Sequence, residues 1–374
     1  MQRSLEPYII QDLGKKIILI TGPRQCGKTT LSKSLSQSYD YLNWDASADR
    51  LIIRNNRWDR QKEVIIFDEL HKMPKWKSWL KGIYDTQGLK PNLLVTGSAK
   101  LDTYRKVGDS LAGRYFQYRL HPFTAKELKD SFSAEEACER LLKFGGFPEP
   151  FLSGTERDYN RWRRSHLDII LRQDMLDLEV VRDIQGMETL TELLRYRVGS
   201  PISSSSLARD LQRDPKTVKK WLQILENLYV IFKVPPYHKN AARVLLKEPK
   251  YYFFDNAQVA NNEGAKLENL VATSLKRELE FIEDTEGTAA SLYYTRSTDG
   301  KEIDFLITQA QIPTYLIEVK QSDSSPAKAF KHFHQFWPTA QMIQLVYELN
   351  KEQTVRDGPQ IRSLATWISE LSLI

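Results

Sequence analysis

Short apolar runs alternate with amphipathic stretches along the N-terminal third of the chain. Residues 17–20, 64–67 and 93–95 are entirely apolar, and each run ends in a polar loop. A helical pattern follows the first run, near residues 28–37. Continuous apolar runs joined by helices are typical of a parallel sheet that is covered on both faces. The pattern therefore predicts an α/β domain, which we place at residues 1–130.

The pattern becomes helical after this domain. Helices are predicted at residues 134–144, 155–178 and 187–197. They indicate a helical connector or lid over residues 131–187.

A different order of elements follows the connector. A serine-rich segment after Pro201 begins a short helix, and Asp214 with Pro215 begins a second one. Apolar residues at 229–232 then resume as a strand. Helix, short turn, helix and strand is the winged-helix order. We therefore predict a winged-helix domain at residues 188–258.

The C-terminal part of the chain returns to mixed elements. A helix is predicted at residues 264–280, and strands are predicted at residues 291–295, 303–308 and 314–319. This pattern predicts a second, smaller α/β domain at residues 259–374.

Composition narrows the class of protein only slightly. The chain has 374 residues, and its 54 basic and 48 acidic side chains give a formal charge of +6. That excess permits nucleic-acid binding but does not require it. The two cysteines are too few for a disulfide framework, no signal peptide is recognised, and the longest apolar runs are too short to span a membrane. We expect a cytoplasmic protein.

A glycine-rich loop lies directly after the first apolar run and directly before a predicted helix. The loop consists of Gly22, Pro23, Arg24, Gln25, Cys26, Gly27, Lys28, Thr29 and Thr30. Glycines let backbone N–H groups surround phosphate oxygens, and the helix N-terminus favours negative charge. Lys28 can reach the β- and γ-phosphates, and the Thr29 hydroxyl can ligate Mg²⁺. The loop predicts a site for ATP and Mg²⁺, in which we interpret Cys26 as a passive small residue.

Two acids end the second apolar run, at Asp68 and Glu69. Asp68 is predicted to hold Mg²⁺, and Glu69 is predicted to orient the water that attacks the γ-phosphate. An acid pair after a strand can also be a solvated strand end. The phosphate loop upstream favours the catalytic interpretation.

Two further residues are candidates for the same site. Ser98 follows the third apolar run, where a hydroxyl could contact the γ-phosphate, although an ordinary turn would also place it there. Arg114 precedes another strand-like segment, and an arginine in cis or from a neighbouring subunit can neutralise the charge of the transition state.

A second candidate site lies in the C-terminal domain. Asp304 begins one apolar run, and Glu318 and Lys320 alternate on one face of the next. Two strands joined by a hairpin would bring both carboxylates to one or two Mg²⁺ ions, and Lys320 could then position the attacking water. The alternatives are a simple ion pair between Glu318 and Lys320, or a nuclease fold that has lost its chemistry.

The predicted winged helix carries exposed positive charge. Its second helix has lysines at positions 216, 219 and 220, and Arg243 lies in a basic segment that could form the wing. We predict that Lys216, Lys219, Lys220 and Arg243 contact DNA. A protein-docking role for this domain stays open.

These motifs together resemble a known family. The loop, the Phe-Asp-Glu segment at 67–69, Val-Thr-Gly-Ser at 95–98 and Ala-Gly-Arg at 112–114 are similar to those of prokaryotic AAA+-type P-loop ATPases. The resemblance runs over about residues 9–347, and it departs at Leu70 and His71, where Ile and Gln are more usual. It implies an ATPase domain, a nuclease-like C-terminal domain and ring-like homo-oligomers.

The C-terminal motif resembles the core of the PD-(D/E)XK phosphodiesterases. In that family a helix before the first core strand often supplies a further acid, and Glu268 occupies the corresponding place in this sequence. The resemblance implies that Glu268, Asp304 and Glu318 hold Mg²⁺ and that Lys320 takes part in cleavage.

We therefore expect an α/β protein that hydrolyses ATP and binds DNA, with a parallel P-loop sheet, a central winged-helix region and a nuclease-like α/β domain. In one hypothesis the C-terminal domain cleaves DNA with Mg²⁺. In the alternatives the chain is a nucleotide-dependent DNA-binding switch or remodeller with an inactive nuclease fold, or an ATPase that acts on proteins.

Overall fold

The computed structural model describes residues 1–97, 111–174, 183–238, 248–260 and 262–373. The chain divides into two compact units. Unit 1 contains residues 1–122 together with 227–229 and 284–286, and unit 2 contains residues 123–226, 230–283 and 287–374.

Unit 1 is built on a parallel five-stranded sheet. Its strands are β1 (Ile17–Thr21), β2 (Tyr39–Asn43), β3 (Val64–Asp68), β4 (Asn92–Gly97) and β5 (Tyr115–Arg119). Its helices are α1 (Glu6–Asp12), α2 (Lys28–Ser34), α3 (Ser47–Arg54) and α4 (Trp76–Gln87), with a 3-10 turn at Leu70–Lys72. The strand order is β2-β3-β4-β1-β5, so the end of β1 lies beside β4 and one strand away from β3.

Burial explains why the apolar runs form the centre of this sheet. Every residue of β1 and of β3 is buried. Edge-on contacts join Phe67 of β3 to Trp58 and Trp79, with ring centroids 5.3 and 5.5 Å apart. A strand covered on both faces gains from apolar side chains on both, which is the pattern that the sequence shows.

Among the described residues, unit 2 begins with five α-helices, and three of them overlap the helices predicted from the sequence. They are α5 (Ala125–Leu128), α6 (Ala134–Phe144), α7 (Pro148–Ser153), α8 (Glu156–Ile169) and α9 (Ile184–Arg195). The side chains of Ser133, Thr155 and Asp183 accept hydrogen bonds from the first turns of α6, α8 and α9. The predicted helix at 155–178 ends earlier as an α-helix, because a π-helical turn occupies Ile170–Asp174.

Two short helices and a two-stranded sheet follow. The helices are α10 (Ser204–Leu211) and α11 (Pro215–Asn227), and the strands are β6 (Ile231–Val234) and β7 (Lys250–Phe253), which pair antiparallel. The apolar stripe of α11 is buried at Val218, Trp221, Leu222 and Leu225. This is the order of elements that the sequence predicts for a winged helix.

The rest of unit 2 is a long helix and a six-stranded mixed sheet. The helix is α12 (Glu263–Glu286), and the strands are β8 (Ala290–Arg296), β9 (Glu302–Gln309), β10 (Ile312–Lys320), β11 (Gln341–Val346), β12 (Gln353–Thr354) and β13 (Gln360–Ser363). Helices α13 (Lys328–His334) and α14 (Leu364–Ser369) complete it. The strand order is β12-β13-β11-β10-β9-β8, in which β9 and β10 form a hairpin.

The predicted α/β class is confirmed, including the N-terminal parallel sheet and a later second sheet. The boundaries of the four predicted domains stay predictions. No helix in the part of the chain that the structure describes combines the length and apolarity needed to cross a lipid bilayer.

Candidate functional site

The glycine-rich loop connects β1 to α2, as the sequence predicts. Gly22 has a φ of 150°, and a Cβ atom at this position would lie 2.0 Å from the carbonyl oxygen of Leu120. Gly27 has a φ of 97° and precedes the first residue of α2. Both positions require glycine, because side chains are strained at these φ values and Gly22 also lacks space.

Lys28 is held inside the loop. Its Nζ donates hydrogen bonds to the carbonyl oxygens of Gly22 at 3.0 Å and Pro23 at 2.6 Å, and the residue is 6% exposed. Cys26 is fully buried, and its Sγ lies 3.4 Å from the carbonyl oxygen of Leu120. Lys28 thus folds back onto the carbonyl groups at the start of the loop, while Cys26 is packed in the interior.

Asp68 is the centre of a hydroxyl cluster. Its Oδ2 accepts hydrogen bonds from Thr29 at 2.9 Å and from Tyr41 at 2.5 Å, and its Oδ1 accepts one from Thr96. Burial and the Asp68 charge raise the pKa of Tyr41, so the phenol stays a donor at neutral pH. A hydroxyl and a carboxylate side by side form the donor set that Mg²⁺ prefers, so Thr29 and Asp68 fit this ion.

Glu69 follows in a left-handed conformation, with a φ of 55°. Its carboxylate lies 3.7 Å from Nε2 of His71 and 3.7 Å from Nζ of Lys72. Lys72 also pairs with Asp45 at 2.6 Å. Burial lowers the pKa of His71, which favours its neutral form. The predicted catalytic carboxylate therefore leaves the line of β3 and turns toward a basic pair.

Arg114 directly precedes β5, and its guanidinium pairs with Asp85 in the last turn of α4. The distance is 2.8 Å, and the side chain is 31% exposed. Ser98 lies outside the described residues.

The structure brings the three C-terminal candidates together at the β9–β10 hairpin. Oδ2 of Asp304 accepts a hydrogen bond from the backbone N–H of Val319 at 2.9 Å, and Nζ of Lys320 donates one to Oε1 of Glu318 at 2.6 Å. The other oxygen of Glu318 is buried, and no group among the described residues forms a hydrogen bond with it. The ion pair that the sequence left open between Glu318 and Lys320 is thus present.

A fourth group, Lys250 of β7, lies among these acids. Its Nζ is 2.7 Å from Glu302, 2.9 Å from Glu268 and 3.7 Å from Asp304, and the side chain is 1% exposed. Tyr252 donates a further hydrogen bond to Glu268 at 2.6 Å. Helix α12 therefore places Glu268 at this cluster, where the side chain of Glu268 contacts Lys250.

The electrostatics of this cluster follow from burial. Desolvation and the nearby Asp304 raise the pKa of Glu268 to about 7 and that of Glu318 to about 7, and burial raises the pKa of Asp304. Burial alone would lower the pKa of Lys250, but Glu268, Asp304 and Glu302 outweigh it and raise that pKa. Lys250 therefore stays an ammonium in the buried site.

Apart from Oε2 of Glu318, most carboxylate oxygens of the cluster face a cation or a backbone N–H, so they are not open to a metal ion. Within the described ranges, no group of three or more His, Cys, Asp and Glu side chains is arranged to hold a metal ion. Oxygens of Glu268 and Asp304 instead face the ammonium of Lys250, and Lys320 pairs with Glu318. Glu268, Asp304 and Glu318, which the sequence predicts to hold Mg²⁺ together, do not fit the ion in this arrangement.

The predicted DNA contacts lie on α11. Lys216, Lys219 and Lys220 are all exposed on its N-terminal half. Arg243 lies outside the described residues.

Sequence reasoning missed Tyr41, Lys250 and Glu302, and it preferred Ser98 to Thr96 at the end of the third apolar run. Glu302 had a usable signal, because it alternates with Asp304 on one strand face. Lys250 and Tyr41 had none, since a lysine or a tyrosine in a strand is ordinary.

Three family models match successive segments of the chain. Residues 14–129 match a model described as an AAA domain. Residues 135–267 and 263–367 match two models that are each described as a domain of unknown function. The first match supports an AAA+-type P-loop ATPase in the N-terminal unit.

Relatives and solved structures are similar to this chain at low identity. An uncharacterized protein of Mycobacterium bovis is 26% identical over 318 residues, which cover 82% of this chain and 71% of the relative. An uncharacterized protein of Methanocaldococcus jannaschii is 24% identical over an alignment of 414 positions, which covers 100% of this chain and 82% of the relative.

Two solved structures are a Walker-type ATPase of Pyrococcus abyssi and the RuvB Holliday junction branch migration motor of Thermotoga maritima. The first has 15% identity and a TM-score of 0.40, with 69% of this chain and 94% of that chain covered. The second has 18% identity and a TM-score of 0.31, with 66% and 96% covered.

Proposed function

We propose that this chain hydrolyses ATP in unit 1 and that its nucleotide state controls DNA binding by the C-terminal half. The observation that carries the first part is the contact between Thr29 of the loop and Asp68 at the end of β3, 2.9 Å apart, with Glu69 next in the chain. It joins the phosphate cradle to the acids that hydrolysis needs.

Each group in this site has a defined task. Backbone N–H groups of the loop and the ammonium of Lys28 bind the phosphates. Thr29 and Asp68 would hold Mg²⁺, which offsets charge on the phosphate oxygens. Glu69 accepts a proton from the attacking water and orients it, once its carboxylate is released from His71 and Lys72.

Phosphate release from the purified chain tests the hydrolysis. Glu69→Gln is expected to lower kcat roughly 100-fold or more while keeping ATP binding, since a positioned general base contributes about 10²–10⁴. Glu63→Gln is the matched control, because Glu63 is an exposed acid of the same unit. Equal rates in wild type and Glu69→Gln would show that this carboxylate is not the base.

DNA binding is proposed for α10 and α11 with the strands that follow them. The three exposed lysines of α11 support it, because ammonium groups on an open helix face suit phosphate contacts. Neutralising phosphates releases counterions, so affinity must fall with salt. The family match to residues 14–129 says nothing about this step.

Fluorescence anisotropy with a labelled duplex across a salt series tests DNA binding. Replacing Lys216, Lys219 and Lys220 by alanine is expected to weaken binding and to reduce the salt slope by up to about 3, because each phosphate contact contributes about 0.9. The control replaces three exposed lysines elsewhere, Lys75, Lys90 and Lys129. Binding without any salt dependence would favour an ATPase that acts on proteins.

We also propose that the chain forms homo-oligomers in which Arg114 of one subunit acts at the ATP site of its neighbour. The moderate exposure of Arg114 and its pairing with a surface acid, Asp85, support this proposal.

A further inference from the structure

The ammonium group of Lys250 is almost entirely buried and faces three separate carboxylates, which is unusual for a lysine. Lysine side chains are rarely buried unless they are paired, since removing the charge from water is costly. Here Glu302 and Glu268 approach Nζ within 2.7 and 2.9 Å, and Asp304 within 3.7 Å. The geometry is that of a cation with several oxygen ligands.

The carboxylates come from different elements. Glu268 lies on α12, whereas Glu302 and Asp304 alternate on one face of β9. Lys250 is the first residue of β7, so its side chain joins a third element to the other two. Oε1 of Glu268 thus accepts two hydrogen bonds, from Nζ of Lys250 at 2.9 Å and from the hydroxyl of Tyr252 at 2.6 Å.

Other contacts hold the remaining carboxylate oxygens. Oδ2 of Asp304 accepts the backbone N–H of Val319, and Oε2 of Glu302 lies 3.6 Å from Arg296. Gly199 closes the far side of Glu268: a Cβ atom at that position would meet Oε2 at 2.5 Å. Little freedom is left for Glu268 or Asp304 to turn toward another cation.

We propose that Lys250 is a built-in cation that takes the place of a divalent ion among Glu268, Glu302 and Asp304. With this ammonium in position, the cluster binds no Mg²⁺ or Mn²⁺ and catalyses no metal-dependent cleavage of phosphodiesters. The cluster instead ties β7 to α12 and β9 as a fixed ionic junction. The C-terminal half then acts as a binding unit.

Titration of Mn²⁺ into the full chain without nucleotide or DNA, followed by electron paramagnetic resonance, tests the proposal. Wild type and Asp304→Asn are expected to bind the same number of ions per chain. Lys250→Met is expected to gain one ion, because it leaves the carboxylates without their counter-charge. The gained ion is expected to be lost in the Lys250→Met, Asp304→Asn double variant.

The matched control is Lys126→Met. Lys126 pairs with the buried Glu278 at 2.9 Å, so this variant also removes an ammonium from a buried acid, whereas Lys250 pairs with three carboxylates. It is expected to gain no ion. A gain in Lys250→Met with none in Lys126→Met supports the proposal, whereas no gain in a folded Lys250→Met chain overturns it.

The comparison of wild type with Asp304→Asn decides the question even when Lys250→Met fails to fold. A bound Mn²⁺ in wild type that Asp304→Asn removes overturns the proposal, as does Mn²⁺-dependent cleavage of DNA that Asp304→Asn abolishes. Because neither ATP nor DNA is present in the titration, its outcome is separate from that of the proposed ATPase and DNA-binding functions.

Discussion

Tyr41 donates a 2.5 Å hydrogen bond to Oδ2 of Asp68, the same carboxylate oxygen that accepts the hydroxyl of Thr29 at 2.9 Å. Tyr41 lies in the middle of β2 and Asp68 ends β3, and the two strands pair in parallel. The phenol therefore fixes the rotamer of the acid that faces the phosphate loop, which makes Tyr41 a positioning residue for the proposed Mg²⁺ ligand.

Tyr41→Phe is expected to raise the Mg²⁺ concentration for half-maximal ATPase activity roughly fivefold, because one hydrogen bond contributes about 1 kcal/mol. The KM for ATP at saturating Mg²⁺ is expected to change less. Tyr39→Phe, two residues earlier on the same strand, is the control and is expected to resemble wild type. A rise in the ATP KM alone would assign Tyr41 to nucleotide binding.

Replacement by alanine is expected to have opposite effects on stability at Gly22 and at Gly82. Gly22→Ala would force a Cβ atom to 2.0 Å from the Leu120 carbonyl, so we expect loss of ATP binding and a lower melting temperature. Gly82 lies within α4, and apart from the helix's own nearby backbone no atom of the described residues lies within 4 Å of the added Cβ, so Gly82→Ala is expected to stabilise the chain by up to about 1 kcal/mol. Calorimetry and a fluorescent ATP analogue measure both. Unchanged ATP binding in Gly22→Ala contradicts the placement of the loop.

Arg114 is expected to act between subunits. Arg114→Ala and Lys28→Ala are each expected to lose ATPase activity, by roughly 10³-fold for the arginine. An equimolar mixture is expected to regain activity, because a Lys28→Ala subunit still offers its arginine to a neighbour with an intact loop. Asp85→Asn frees Arg114 from its ion pair and is the control, with activity retained. Full activity of Arg114→Ala would remove this residue from the mechanism.

Because of Asp255, the free energy of unfolding is expected to fall as the pH rises. Asp255 is buried, accepts a hydrogen bond from Tyr159 at 3.0 Å, and has a pKa that burial raises from 3.8 to about 6. The folded chain binds the proton of Asp255 more tightly than the unfolded chain does. The stabilisation that the protonated Asp255 contributes is therefore complete below about pH 4 and is lost as the pH rises past about 6. At about 1.4 kcal/mol per unit, the loss is roughly 3 kcal/mol.

Asp255→Asn mimics the protonated acid and is expected to remove this part of the pH dependence. Urea unfolding at about pH 4 and about pH 7 measures it, and Asp210→Asn is the control because Asp210 is exposed. Parallel pH profiles of wild type and Asp255→Asn contradict the assignment.

The sequence alone determined the α/β class and the phosphate loop with its acids. The loop residues are contiguous, and its glycines, lysine and threonine have to follow one another for the backbone to curve around phosphate. Asp68 ends a continuous apolar run, which places it at the edge of a buried parallel strand. Local patterns of this kind are visible without knowing the fold.

The hairpin of the C-terminal candidates was also predictable in part. The spacing of Asp304 and Glu318 and the alternation of Glu318 and Lys320 follow from the period of a strand, and β9 pairs with β10 as expected. What the spacing could not show is which cation the carboxylates face.

Only the tertiary structure decided that. Lys250 reaches Glu268 and Asp304 because β7, α12 and β9 pack together in unit 2, and Tyr41 reaches Asp68 because β2 lies beside β3. A lone lysine or tyrosine in a strand does not indicate which residues it will contact. Contacts between residues far apart in the chain depend on the packing of whole elements, which no local pattern contains.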